Sequence, residues 1–215
     1  MGRTVIGTFD TWEHAERVVA DLLNSGFRRD EVSLIANRER APHIQPLESV
    51  GGSGPAVDAA GSAAIGGLAG FVAGIAALAI PGIGPIIAAG PLAAGLIGAT
   101  VGAAAGGITG ALRNHGVSEE EAEVYSEALR RGATLVAVNT SEEKMLHAEE
   151  IMNRHGAVDI EERAETWRQQ GWTGTPRQAG RRLDLGADPG HIDFQHAEQV
   201  GRTRGGEGGA KAFIW

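Results

Sequence analysis

The residues of this chain whose types could do acid/base or metal chemistry include 7 His and 27 Asp or Glu, and among its 215 residues there is no Cys. Without cysteine there are no disulfides, no thiolate nucleophile and no Cys-based zinc or iron–sulfur site. Two clusters come nearest to metal-ligand spacing: His147-Ala148-Glu149-Glu150, and His191-x-Asp193-x-x-His196. A helical metal site wants ligands one turn apart or a facing carboxylate pair. The first cluster lacks that and reads as solvated helix surface. The second lies in a Gly/Arg-rich tail with no evident order. His14, His43, His115 and His155 stand apart from these clusters. Glu119, Glu120, Glu121 and Glu123 crowd a helix start, where carboxylates favour the helix dipole, so they are not read as acid/base groups. No Ser-His-Asp set, phosphate loop or paired-carboxylate pocket is recognisable. The expectation is a protein that is not an enzyme, with no cofactor, no metal and no small-molecule substrate.

The elements that would carry such residues flank residues 59–112, a stretch with no Asp, Glu, Lys, Arg or His. It contains two Gly/Ala-rich apolar segments joined by Pro81-Gly82-Ile83-Gly84-Pro85. Each segment is long enough to span a bilayer as a helix, since ~20 residues at ~1.5 Å rise cover ~30 Å. Pro81, Gly82, Gly84 and Pro85 would break the helix and reverse the chain. Glycines recur every fourth residue as Gly66, Gly70 and Gly74, then as Gly98, Gly102, Gly106 and Gly110. On a helix each set forms a groove on one face, the small-xxx-small device of closely packed membrane helices. The stretch is therefore expected to be a glycine-zipper helical hairpin, inserted in a membrane or buried in a soluble homo-oligomer.

A net charge of −8 argues against a nucleic-acid partner, which needs clustered Lys and Arg. The opening MGRTVIGTFD lacks a signal-peptide pattern, so the soluble parts are expected in the cytoplasm, associated with the inner membrane through the hairpin.

Along the chain, residues 4–9 read as a strand. Asp10 or Thr11 can cap a helix whose apolar face is Ala15, Val18, Val19, Leu22 and Leu23, and residues 31–36 read as the return strand. Ser118 with Glu121 forms a capping box for a helix ending near Arg131. Residues 133–138 read as a strand, Ser141 opens a helix with Met145, Ala148, Ile151 and Met152 inward, and residues 158–162 read as a last strand. Thr4, Thr11, Val18, Leu22 and Gly26 recur, at a constant offset, as Thr134, Ser141, Ala148, Met152 and Gly156. Two β-α-β halves give an α+β ferredoxin-like βαββαβ domain. It is interrupted between its second and third strands by the apolar hairpin. The boundaries expected are 1–37 and 113–164 for the two halves, 38–58 for a linker, 59–112 for the hairpin and 165–215 for a polar tail.

VIGTFDTWEHAERVVADLLNSGFRRDEVSLIA, the central glycine pattern, and VSEEEAEVYSEALRRGATLVAVNT with AEEIMNRHGAVDIEERAETW resemble the bacterial heat-induced general stress protein family, the 17M-like group. The resemblance covers about residues 3–168 and implies a stress-response role without an enzymatic activity. The tail lies outside it. There Phe213, Ile214 and Trp215 form an apolar end suited to docking, on a neighbouring subunit or on the chain itself. Two functions from different classes stand beside the membrane-associated oligomer: a structural protein forming a soluble cage, ring or filament, and a small-ligand sensor suggested by fold analogy.

Overall fold

The computed structural model describes residues 3–41, 71, 75–80, 83–100, 107–174, 204–205 and 209–214. The chain opens with strand β1 (Arg3–Phe9), helix α1 (Trp12–Asn24) and strand β2 (Val32–Asn37), which runs into a single 3-10 turn (Arg38–Arg40). Thr11 is the cap residue of α1, its hydroxyl accepting from the His14 N–H at 3.4 Å. Strands β3 (Ala76–Ile80) and β4 (Gly84–Ala89) follow, then helices α2 (Pro91–Thr100) and α3 (Gly107–Arg113).

Helix α4 (Glu119–Arg130) begins on the expected cap. Ser118 Oγ accepts from the Glu121 N–H at 3.3 Å and donates to the Glu121 carboxylate at 2.6 Å. Strand β5 (Thr134–Thr140), helix α5 (Glu142–Arg154), helix α6 (Ile160–Gln169), the two-residue strand β6 (Arg204–Gly205) and strand β7 (Lys211–Ile214) complete the chain. The fold is mixed α and β.

All strands join one antiparallel sheet in the order β3-β4-β2-β5-β1-β7-β6. The centre comes from the two repeated halves: β1 runs alongside β5 over seven residue pairs, from Arg3 opposite Thr140 to Phe9 opposite Thr134. Side chains alternate across the strands, so β1, β2, β4, β5 and β7 each feed two cores. Val5, Phe9, Leu34, Val136 and Val138 meet Val18 and Leu22 of α1 and Ala148 and Met152 of α5. Ile6, Ile35, Leu135 and Ala137 point the other way, toward Leu92 of α2, Ile108 of α3, Tyr125 of α4 and Ile160 of α6. Helices thus cover both faces. The inserted segment, α4 and α6 supply the second layer, burying several aliphatic side chains at ~1.5–3 kcal/mol each.

Three expectations are corrected. The described parts of residues 59–112 do not form two long helices. Residues 76–80 and 84–89 are a β-hairpin added to the edge of β2, and only two short helices follow. Its strands carry Ile80, Ile86 and Ile87, β-branched residues that favour a pleated surface. A buried strand shows no polar alternation, so its sequence reads like a buried helix.

Residues 158–162 are not a strand either. Val158 donates one backbone hydrogen bond to the Thr8 carbonyl at 2.8 Å, and the chain then turns into α6. Asp159 caps that helix, accepting from the N–H groups of Glu161 and Glu162 at 2.8 and 3.3 Å. The place beside β1 goes to β7, from the segment expected as a polar tail.

Candidate assembly surfaces

The glycines expected to mediate helix packing fall unevenly on this architecture. Gly66, Gly70, Gly74, Gly102 and Gly106 lie outside the described residues, as do Pro81, Gly82 and Trp215. Gly98 lies in α2 and Gly110 in α3, helices that pack against each other. Between them Gly95, which the four-residue spacing did not include, faces Ala111: a Cβ on it would sit 3.8 Å from the Ala111 Cβ, an ordinary contact distance. Gly84 and Pro85 do sit beside a turn, but of a β-hairpin. The Ile83 N–H donates to the Ile80 carbonyl at 3.1 Å, and Pro85 lies opposite Ala79. Among the described residues, no helix is long and apolar enough to cross a membrane.

The hairpin places β3 at the end of the sheet. Its inner side pairs with β4 from Ala76 opposite Ala88 to Ile80 opposite Gly84, and among the described residues no strand pairs with its outer side. The five residues AALAI carry no charge; Ala76, Ala77 and Leu78 are half-buried, Ala79 is exposed and only Ile80 is buried. Natural sheet edges are usually blunted by Lys, Pro or a bulge because unpaired N–H and C=O groups template further pairing. None of these lies within β3.

At the other end, β7 docks the tail on its own sheet. Ile214 lies opposite Arg3 and Lys211 opposite Ile6. The buried Phe213 ring meets Tyr125 edge-on, with centroids 6.4 Å apart. Lys211, also buried, pairs with Glu161 and lies 3.8 Å from Glu121. Ala210 donates its N–H to the Asn153 side chain at 2.9 Å. The Tyr125 hydroxyl below this strand is held well above its ordinary pKa, first by burial and then by Glu121, Glu161 and Asp159.

Several titratable side chains join elements of the fold. His155 Nε2 meets the Asp21 carboxylate at 2.6 Å, joining the ends of α5 and α1. His147 stacks on Phe27 at 6.1 Å. Glu127, buried in α4, takes Arg131 Nε at 2.6 Å and also pairs with Arg130. His43, His191, Asp193 and His196 lie outside the described residues. Among the described residues no three His, Asp or Glu gather as a metal site. Comparison of the chain with protein-family models, with curated proteins and with solved structures finds no match.

Proposed function

We propose that this chain is a non-enzymatic stress-response protein that associates with copies of itself, built on a ferredoxin-like βαββαβ core in which β7 takes the place of the fourth strand. The core reading rests on the strand order β2-β5-β1-β7, with α1 and α5 together on one face. The stress-response part rests on the sequence resemblance. The non-enzymatic part is supported by the use of His155, Asp21 and Glu127 in structural pairs.

The observation that carries self-association is the uncharged edge of β3, whose outer side no strand pairs with among the described residues. An edge strand pairing antiparallel with its own copy is self-complementary about a two-fold axis, so one surface suffices for both partners. Of the two forms expected from the sequence, assembly without lipid has the better support. Ile86, Leu92, Leu96, Ile108 and Leu112, all from the apolar stretch, are no more than 1% exposed and pack in the chain's own core. Apolar side chains used in this way are not available to hydrocarbon.

The test is Ala79→Lys, which puts a charge on the exposed edge position without touching the core. The expected outcome is a smaller particle with an unchanged circular-dichroism spectrum. Assembly that persists in both Ala79→Lys and Leu78→Lys excludes β3 as the interface.

A further inference from the structure

Although the chain carries a net charge of −8, one cavity runs against that balance. It has a volume of about 200 Å³ and lies at the seam between the end of β1, the 3-10 turn after β2, the junction of α4 with β5, and α6. Three arginines line it, Arg40, Arg131 and Arg163, and Asp10 is the single carboxylate among its lining residues. Asp10 pairs with Arg163 at 2.6 Å, and Glu127 just outside is shared by Arg130 and Arg131. Four guanidinium groups against two carboxylates leave two positive charges in surplus.

These cations are held in place and still have donors to give. The Arg131 guanidinium lies 4.9 Å from the centre of the Trp167 ring, and its Nε–H is committed to Glu127, which leaves the terminal nitrogens for another acceptor. Arg163 uses one terminal nitrogen on Asp10. Both side chains remain 39% exposed, so solvent and ligand can reach them. Among the described residues no ion pair or hydrogen bond engages the Arg40 side chain. It lies over Gly132, where a Cβ would come within 2.8 Å of its Nε; the absence of a side chain at that position makes room for it.

A further polar group points to a ligand. Thr8 lines the cavity at 2% exposure, and its hydroxyl has no hydrogen-bond partner among the described residues. Buried hydroxyls are seldom left unpartnered, and an oxyanion would accept from this one.

We infer that the cavity is a binding site for a phosphate-class dianion, free phosphate or a small phosphomonoester, held by Arg40, Arg131 and Arg163 and by the Thr8 hydroxyl. The surplus of two positive charges matches a dianion. The volume is below the ~300–1,000 Å³ usual for drug-sized ligands, which sets the upper size of the substituent, and Trp167 supplies an apolar wall. A bound dianion would tie the two halves of the repeat together at this seam. This inference is independent of the self-association reading.

The experiment is a titration of the full chain with inorganic phosphate at constant ionic strength, with chloride as the matched control, followed by thermal unfolding and by chemical shifts of the backbone amides around residues 8 and 132. Saturable effects with phosphate and none with chloride are expected. Arg40→Gln and Arg163→Gln should each weaken the apparent affinity by ~10-fold or more, as expected for losing a charged hydrogen-bond donor. Thr8→Val separates ligand binding from folding. It should leave the phosphate-free protein as stable as the native chain or more so, while still weakening phosphate binding. Glycerol phosphate binding more tightly than phosphate would identify a monoester as the ligand; the reverse order would identify the free ion. Absence of saturation, or equal affinity in all three variants, overturns the assignment.

Discussion

Gly90 is the residue on which the attachment of the second helical layer turns. Its φ of +82° is left-handed, and a Cβ there would lie 2.0 Å from the Val32 carbonyl oxygen, so the backbone passes directly over β2. Two residues on, Leu92 N–H donates to the buried Ser33 hydroxyl at 3.1 Å, fixing the first turn of α2. Gly90→Ala is expected to lower stability by about 3 kcal/mol, combining backbone strain with overpacking. Urea unfolding measures it, and a loss below about 0.5 kcal/mol, the ordinary range of a surface substitution, would contradict the account.

His115, after α3, is half-buried, and burial pushes its pKa below the ordinary 6.5 while a hydrogen bond with Asn139 opposes the shift. Between the lowered folded value and 6.5 the unfolded chain therefore binds more protons than the folded one. Stability should fall as pH drops through that window and level off below the folded value. His115→Gln should flatten this part of a plot of Tm against pH; identical slopes in the two proteins would contradict it.

At the scale of elements, β7 is the clearest case of tail sequence recruited into the core. Phe213 is 2% exposed between the sheet and Tyr125, so Phe213→Ala should cost about 3–5 kcal/mol. A surface-docked tail would lose far less, and urea unfolding distinguishes the two. The helices legible in the sequence are those with a clean period and a cap, α1 with Asp10 or Thr11 before it and α4 with Ser118 and Glu121; β5 is legible from its short apolar run after Gly132. Ser141 opens α5 as its place in the sequence implies, although its side chain makes no capping bond.

Residues 158–162 carry a helix-start signal that breaks the β-α-β repeat, namely Asp159 followed by Glu161 and Glu162, a cap and an acidic first turn. The β3–β4 hairpin was harder to see. β4 is covered on both faces, which removes from its sequence the alternation that distinguishes a strand from a helix, and the apolar β3 beside it offers no alternation either. The arginine-lined cavity was not legible at all. Arg40, Arg131 and Arg163 are far apart in the chain and meet only because four separate elements converge.

Over the whole molecule, a duplicated β-α pattern puts β1 and β5 side by side in the middle of the sheet, and everything else adds outward from them. The tail extends the sheet on the β1 side. The inserted segment extends it on the β2 side and roofs the face opposite α1 and α5. In this roof α2 and α3 pack against each other within one chain, with Gly95 facing Ala111, where the sequence pointed to packing between membrane helices or between subunits of a soluble oligomer. Among the described residues no strand pairs with the outer side of β3, and the central claim is that copies of the chain meet there.

The most direct test is the detergent-free mass of the full chain by light scattering across a range of concentrations. The account predicts a mass that is a multiple of the 22.3 kDa single chain, falling to that value in Ala79→Lys. A native mass of 22.3 kDa at every concentration, or a particle that forms only when lipid or detergent is added, would contradict it.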